Sequence, residues 1–518
     1  MRHPRKHITP IILLLLSVTL QVSAQYAIRP GLELPKVRMA PIRQGNNEES
    51  LPEWVDNSLS PYFPSIISQY GGSCAQASGI HYLFTYEMNR TLDRTVQENA
   101  AHTFSYRWMW HLLNGGKDEG GFASDGIEIT KTTGCMTVSD FGNESTSDFL
   151  WPSGYEKYYN AMHYRTREAS AIDLTTMEGI KDMMMYMYDK RDGLKGGGIA
   201  SFSISSDNWG YSEYDGPCST GYGDIINFNG KGGAHAMTLV GYDLAVEYDC
   251  DGDGVISDDE RGAFILVNSW GTWWGTEGRA YIPFKYFLDA GNEGSMTHWD
   301  ANALCIETEY VEPELCLKLT INYSSRNDLN VRFGVADGMQ ETSPVKGSSI
   351  TTPILSNKGG DHNMRGTRFV SGNQIEMGFD ISSLREYSDA MKAPCFMVIM
   401  GKSVLGKPGS GRLLDATVYD YVNDKEYKAV YTDDMNSITL GYHTFKIPTR
   451  LWFKRHGQWY EAIETTYNPL TISSDPIHSE VPVGNYAIRR ADGSYSKLRI
   501  TGFGTDGGKI KLEVTQYE

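Results

Sequence analysis

The sequence predicts an α+β chain in two parts, helices followed by strands over residues 51–305 and then a strand-dominated region over 311–518. Three observations carry this expectation. In the first part helical periodicity comes early and strand-like runs follow Gly198, a segregation that suits an α+β domain with a cleft between two halves. In the second part apolar residues alternate at Leu315, Leu317, Leu319 and Ile321, and again at Ile510, Leu512 and Val514, which is the period of a half-buried strand. The length of 518 residues exceeds what one hydrophobic core normally supports, so two or three domains are expected.

Residues 1–24 read as a secretory signal. A basic start (Arg2, Arg5, Lys6) leads into an apolar run from Ile11 to Leu20 and a small-residue stretch Val22-Ser23-Ala24 before Gln25. The run is shorter than the roughly 20 residues a membrane span needs, and no Cys follows it to carry lipid. The mature chain is therefore expected to be secreted, periplasmic or on the cell surface, with no membrane span. Residues 25–50 are polar, carry Pro30, Pro35 and Pro41, and read as a linker or short pro-segment.

In 51–305, Ser73 is placed to cap a helix running through Ile80, Leu83 and Phe84 towards Asn89, with Cys74 in its first turn. Further helices are expected over 105–113, over 124–133 with Gly134 as the stop, and from Thr175 or Thr176 to about Asp189. The last contains Met183, Met184, Met185 and Met187, which suit packing. Strands are expected over 199–203, 236–242, 264–268 and 279–282. Residues 311–518 read as a β-sandwich, with hairpin turns at Asp492-Gly493 and Gly507-Gly508 and, if it divides into two, a break near residue 446.

The formal net charge is −17, and loss of the three basic residues of the signal takes it to −20 (−17 − 3). Such a surface repels polyanions, which argues against nucleic acid and anionic membranes as partners. The seven cysteines are an odd number for an exported chain, so at least one thiol is expected free, Cys74 being the natural candidate. Spacing does not say how the other six would pair.

Four separated segments supply parts of one chemistry: Ser68-Gln69-Tyr70-Gly71-Gly72-Ser73-Cys74, Gly120-Gly121, Gly232-Gly233-Ala234-His235 and Asn268-Ser269-Trp270-Gly271. A thiol attacks as thiolate and needs its pKa lowered by a helix N-terminus, a cationic partner or both. Cys74 is expected to draw the first from its own helix and the second from His235. The oxyanion formed on an attacked carbonyl needs preorganised donors, which the Cys74 backbone N–H and the Gln69 amide can supply. His235 must hold one ring orientation through the proton transfers, and the Asn268 amide can fix it without adding charge, with Trp270 covering that bond.

These segments resemble those of the papain-like cysteine peptidases over residues 51–305. The resemblance implies a two-lobed peptidase fold with Gln69 as oxyanion-hole residue, Cys74 as nucleophile, His235 as general base and acid, and Asn268 as orienting residue. It implies that Gly120 and Gly121 bind an extended substrate like an added strand, and that Phe122, Ala123 and Ala236 line the main specificity pocket. Asn268-Ser269-Trp270-Gly271-Thr272-Trp273-Trp274-Gly275 is its most specific stretch. The chain departs from the family in several places. The interval from Gln69 to Cys74 is one residue short. Ala75 and Gln76 stand where the family has Trp and Ala, and Gly71 stands where a disulfide Cys is usual. No long inhibitory propeptide precedes the domain.

Between His235 and Asn268, residues 249–260 place Asp249, Asp251, Asp253, Ser257 and Glu260 at positions 1, 3, 5, 9 and 12, with Gly254 at position 6. This is the spacing of an EF-hand loop, with Val255 offering its carbonyl, and it predicts calcium (Ca2+) as cofactor. Strand-like segments rather than helices flank the loop. Calcium is expected to lie near the active site and to rigidify it.

The sequence therefore predicts an exported cysteine endopeptidase acting on protein or peptide substrates through a thioester. Two alternatives use the same features: a non-catalytic papain-like binding or adhesion protein, and an acyl transferase with the same Cys-His core. His362 and His456, in the second part, are expected to be surface or turn residues.

Overall fold

The computed structural model describes residues 34–39, 51–96, 99–143, 149–204, 209–228, 234–289, 302–357, 359–367, 370–402, 409–429 and 442–450, and beyond these the backbone of six short strands. The expected signal at 1–24, His456 and the two turns at Asp492-Gly493 and Gly507-Gly508 lie outside the described residues.

Cys74 opens a helical run that continues without a break through Cys74–Gln76, a π-helical stretch Ala77–Phe84, and Thr85–Thr91. Every residue from Cys74 to Arg90 is buried, so this helix runs through the interior and its polar side chains must find partners there. Ser78 Oγ donates to the Met237 carbonyl at 2.6 Å, and Glu87 accepts from Lys190 Nζ at 2.9 Å. Ser73 does not cap it as the sequence suggests. Its hydroxyl turns back to the Tyr70 carbonyl at 2.7 Å, closing the turn that precedes Cys74.

The other helices follow their local signals. Ser105 caps Tyr106–Leu113 through Trp108 N–H, and Thr176 caps Met177–Tyr188 through Gly179 N–H. Gly134 ends Ala123–Thr133 at φ +66°. A Cβ there would sit 1.8 Å from the Ala161 carbonyl oxygen, so only glycine fits. Met183, Met184 and Met187 are buried in the core.

A nine-stranded sheet backs these helices. Its order is Tyr164–Asp173, Asn302–Tyr310, Ala200–Ile204, His235–Glu247, Arg261–Val267, Arg279–Pro283, Asp224–Phe228 and Gly210–Glu213, with Trp54–Asp56 also paired to His235–Glu247. Pairing is antiparallel except at Ile225↔Tyr281. Part of the expected linker belongs to this sheet: Val37 N–H donates to the Ala171 carbonyl and Ala171 N–H to the Pro35 carbonyl, so residues 35–37 line the edge strand Tyr164–Asp173.

Beyond Val311 the alternation is realised in strands. Along Leu315–Tyr323, Leu317, Leu319, Ile321 and Tyr323 are buried and the intervening Lys318, Thr320 and Asn322 half-buried. A four-stranded sheet runs Gln374–Asp380, Leu315–Tyr323, Gly411–Asp420, Lys425–Lys428, and a three-stranded one Leu329–Asp337, Pro394–Lys402, Tyr442–Pro448. Phe333 and Phe379, one from each sheet, meet with ring centroids 5.0 Å apart. Residue 446 falls inside Tyr442–Pro448, paired to Pro394–Lys402 along its length, so a break there would cut a sheet rather than a connection.

The two parts share one hydrophobic core, continuous from Tyr62 to Ile447. Polar contacts reinforce the join. Gly154 N–H donates to the Glu376 carbonyl, Arg165 pairs with Asp380, and the Tyr155 and Tyr421 hydroxyls bond at 2.9 Å. Arg326, buried over the Trp151 ring at 4.2 Å, donates to the Phe149 and Gly359 carbonyls. Desolvation lowers its pKa to about 9. His362 is not an idle surface residue: it stacks on Phe149 at 4.1 Å and its Nε2 lies 3.1 Å from the Gly116 carbonyl.

None of the seven cysteines is paired, so no disulfide among the six besides Cys74 is formed. Among the described residues no helix is long and apolar enough to cross a membrane.

Candidate active site

Residues 67–69 run antiparallel to 269–271. Gln69 N–H donates to the Ser269 carbonyl at 2.7 Å and Gly271 N–H to the Ile67 carbonyl at 2.9 Å. This short ladder brings the Gln69 and Asn268 segments together across two hundred residues of sequence. The chain then turns at Gly71, whose φ of +57° favours glycine, and enters the buried helix at Cys74.

His235 begins the long strand His235–Glu247, and Asn268 directly follows its neighbour Arg261–Val267. Both side chains are buried, at 5% and 0% exposure. His235 Nε2 lies 2.8 Å from Asn268 Oδ1, which also accepts the Ser269 backbone N–H at 2.7 Å. A backbone N–H can only be accepted by oxygen, so that bond fixes which way the amide points and makes His235 Nε2 the donor. Nδ1 is left with its lone pair. Trp270 stacks on the imidazole at 4.7 Å. Trp209 touches Trp270, Trp274 and His235 at centroid distances of 5.6, 6.0 and 6.2 Å.

Cys74 packs with Ala75 and Ala236 in a small buried cluster. This sets the sulfur beside the residue that follows His235. Backbone groups of Ala236, Ala75 and Cys74 itself favour the thiolate, yet burial outweighs them and raises the thiol pKa. Burial likewise lowers His235 to about 4 against the opposing Asn268 bond. The lowered thiol pKa expected of Cys74 is opposed in this enclosed site by desolvation, which raises the thiol against its backbone hydrogen bonds.

Gln69 is held at both ends of its amide. Ser269 Oγ donates to Oε1 at 2.5 Å, and Nε2 donates to the Gly71 carbonyl at 2.8 Å. One of the two N–H groups of Nε2 remains for another acceptor. Gly120, Gly121 and Phe122 lead into the helix Ala123–Thr133. A Cβ on Gly121 would meet nothing within 4 Å, so that face of the glycine pair is open. Ala123 abuts Gly79 of the Cys74 helix, close enough that a Cβ on Gly79 would lie 2.9 Å from it.

Two residues outside the expected set also join the site. Asp118 Oδ1 accepts the Gly72 N–H at 2.7 Å, and buried Gln76 donates to the Phe122 carbonyl at 2.9 Å. In the sequence Gln76 stands out only as an unusual residue two positions after Cys74. Asp118, the Ser269 hydroxyl and Trp209 carry no sequence signal, because each finds its partner through tertiary packing.

The loop 249–260 joins His235–Glu247 to Arg261–Val267, its ends tied by the Glu247 and Arg261 pair. Carboxylate oxygens of Asp249, Asp251 and Asp253 lie within 4.8 Å of one another, a hard donor set that suits Ca²⁺. Gly252 and Gly254 take φ of +76° and +82°. Glu260 is outside that group: buried, it accepts from Cys250 N–H through Oε1 and from the Ser257 N–H and hydroxyl through Oε2. Val255 is 63% exposed, and the single Ser257 hydroxyl proton is shared between Glu260 Oε2 and Asp259 Oδ1. The loop is not near the active site. The seven-residue strand Arg261–Val267 separates the loop from Asn268, about 23 Å at the usual rise, because His235 and Asn268 sit at one end of the hairpin and the loop at the other.

No protein-family model matches the chain, and no curated protein matches it. Among solved structures the chain is similar to xylellain, a cysteine protease from Xylella fastidiosa, with 16% identity and a TM-score of 0.37 over 56% of this chain and 97% of that one. It is similar to a digestive procathepsin L 3 from Tenebrio molitor larval midgut at 15% identity and a TM-score of 0.34, covering 55% and 76%. A procathepsin B from Trypanosoma congolense gives 15% and 0.35, covering 56% and 87%.

Proposed function

We propose that the protein is an exported cysteine endopeptidase with a papain-like, two-lobed catalytic part and a β-sandwich in its second part. The observation that carries this reading is the His235 Nε2–Asn268 Oδ1 bond, with Cys74 buried beside Ala236. A donor Nε2 leaves Nδ1 as the base. In the proposed cycle Nδ1 takes the Cys74 thiol proton as sulfur attacks a peptide carbonyl, then returns it to the leaving amine. Water resolves the thioester with the same ring as base. The Cys74 backbone N–H and the second Gln69 N–H are the proposed oxyanion donors, the Ser269 hydroxyl holding the Gln69 amide in place.

The open face of Gly121 is the proposed seat of an extended substrate, and Phe122, Ala123 and Ala236 the proposed lining of an apolar specificity pocket. We also propose that Asp249, Asp251 and Asp253 hold Ca²⁺, with Val255, Ser257 and Glu260 completing the shell once Glu260 turns from its backbone partners. The ion would brace the hairpin that carries His235 and Asn268.

The test is covalent labelling of purified mature protein by an epoxide peptidase inhibitor, together with a peptide-library digest with and without calcium. Labelling and cleavage that both vanish in Cys74→Ala support the reading. Unlabelled wild type would point to a binding protein, and conjugates to an added amine in place of hydrolysis would point to acyl transfer.

A further inference from the structure

The segment that carries Gly120 and Gly121 is tied to the Cys74 turn on both sides of the nucleophile. Two residues before Cys74, the Gly72 N–H donates to Asp118 Oδ1 at 2.7 Å. Two residues after it, Gln76 Nε2 donates to the Phe122 carbonyl at 2.9 Å. A third bond, from Trp110 Nε1 to the Glu119 carbonyl at 2.8 Å, fixes the segment from behind. The glycine pair lies between these ties.

We propose that Asp118 and Gln76 are positioning residues that hold the 118–122 segment in register with Cys74, so that a peptide paired along Gly120-Gly121 presents its scissile carbonyl to the thiol. This rests on the peptidase reading above. The packing argues that both contacts are built. A Cβ on Gly71 would fall 2.2 Å from Asp118 Oδ1, and one on Gly126 would fall 2.0 Å from Gln76 Oε1, so glycine at each position makes room for the tying side chain. Gln76 is 1% exposed, which makes its single donated bond costly to lose. Gly71 and Gln76 are also where the sequence leaves the pattern it otherwise resembles, and here each serves the same segment. The Asp118 carboxylate oxygen accepts this backbone N–H in a turn at the surface.

Register matters only for substrates long enough to pair with the glycines, and that separates positioning from simple support of the fold. Asp118→Ala, Asp118→Asn and Gln76→Met are compared with wild type by three measurements: alkylation of Cys74 by iodoacetamide, kcat/KM on a single-residue ester, and kcat/KM on a tetrapeptide amide. Asp118→Ala and Gln76→Met are expected to lower the tetrapeptide value about tenfold or more. Alkylation and ester cleavage should stay within about twofold, since neither needs the paired strand. Asp118→Asn, which keeps an acceptor oxygen, should recover much of the loss. Because Asp118 is exposed, its variants will fold, and they carry the test if Gln76→Met does not. Equal losses on ester and tetrapeptide, or unchanged tetrapeptide cleavage in Asp118→Ala, overturn the inference while leaving the peptidase intact. A wild type that is neither alkylated at Cys74 nor active overturns the peptidase reading and the inference with it.

Discussion

Acidification should destabilise this protein through two histidines before most of its carboxylates titrate. His235 and His81 are both buried, at 5% and 2% exposure, and burial lowers each from 6.5 to about 4. His81 lies inside the Cys74 helix with Nε2 3.0 Å from the Ser65 carbonyl. The unfolded chain thus binds more protons than the folded one between these values, so stability falls as pH drops through that window and is level above it. At pH 5 each histidine costs about 2 kcal/mol relative to neutral pH, and the pair about 4 kcal/mol. That is a large share of the 5–15 kcal/mol typical of a folded domain.

The assay is urea unfolding of the mature protein from pH 7.5 down to pH 4.5, in steps of half a unit. The midpoint should hold steady above about pH 6.5 and then decline steadily. His81→Gln, which retains a donor for Ser65, should remove about half of the slope. Carboxylates act lower: Asp192, drawn down to about 2 by Arg90 against its own desolvation, loses its contribution only below its unfolded value of 3.8. A flat midpoint between pH 7 and pH 5, or a His81→Gln slope equal to wild type, would refute the reasoning.

The remaining predictions concern the site, the loop and the join. Asn268→Ala should lower kcat about a hundredfold by freeing the His235 ring, with Cys74 still alkylated by iodoacetamide; unchanged kcat would deny Asn268 its role. The rate of that alkylation should climb with pH through the range above the thiol's ordinary value, since burial raises Cys74; a plateau reached at acid pH would mean an ion pair at rest. Calcium at a hundred times its dissociation constant should stabilise the protein by about 2.7 kcal/mol, an effect lost in Asp251→Asn, with a smaller change in kcat because the loop lies at the far end of its hairpin. Gly360→Ala should destabilise by about 1–3 kcal/mol, because Gly360 sits at φ +85° and its Cβ would meet the Gly115 carbonyl oxygen at 2.4 Å; a neutral effect in urea would mean that this contact is loose.

Local chemistry explains what could be read in advance. The helix from Cys74, the Ser105 and Thr176 caps, the Gly134 stop and the alternation from Leu315 all depend on residues within a few positions, and periodicity or a cap reports them. The EF-type spacing is legible for the same reason, since Asp249, Asp251 and Asp253 converge through a tight local turn. The distance of that loop from Asn268 is not local: it depends on hairpin direction, which the spacing of ligands does not encode. Ser73 shows a local signal losing to a nearer partner, its hydroxyl taking the Tyr70 carbonyl instead of a helix N–H. Asp118 and the Ser269 hydroxyl find their partners 46 and 200 positions away, and nothing in either residue's own neighbourhood announces the match. The raised Cys74 pKa was illegible because it follows from how completely the site is enclosed.

The join between the two parts bears on what the second is for. From residues 359–362 a continuous path of contacts reaches Cys74. Gly360 backs directly onto Gly115 and Gly116, and His362 holds the Gly116 carbonyl. Asp118, two residues on, holds Gly72, and Gly72 is two residues from Cys74. Arg326 lies underneath, fully enclosed, donating to carbonyls from both parts. A binding module tethered to an enzyme would meet it through a small, wet and mostly polar surface. Here the apolar core itself runs through both parts, and the loop leading to the glycine pair rests on residues 359–362. The second part is first of all a wall of the same folded unit, and the 115–122 loop is built against it.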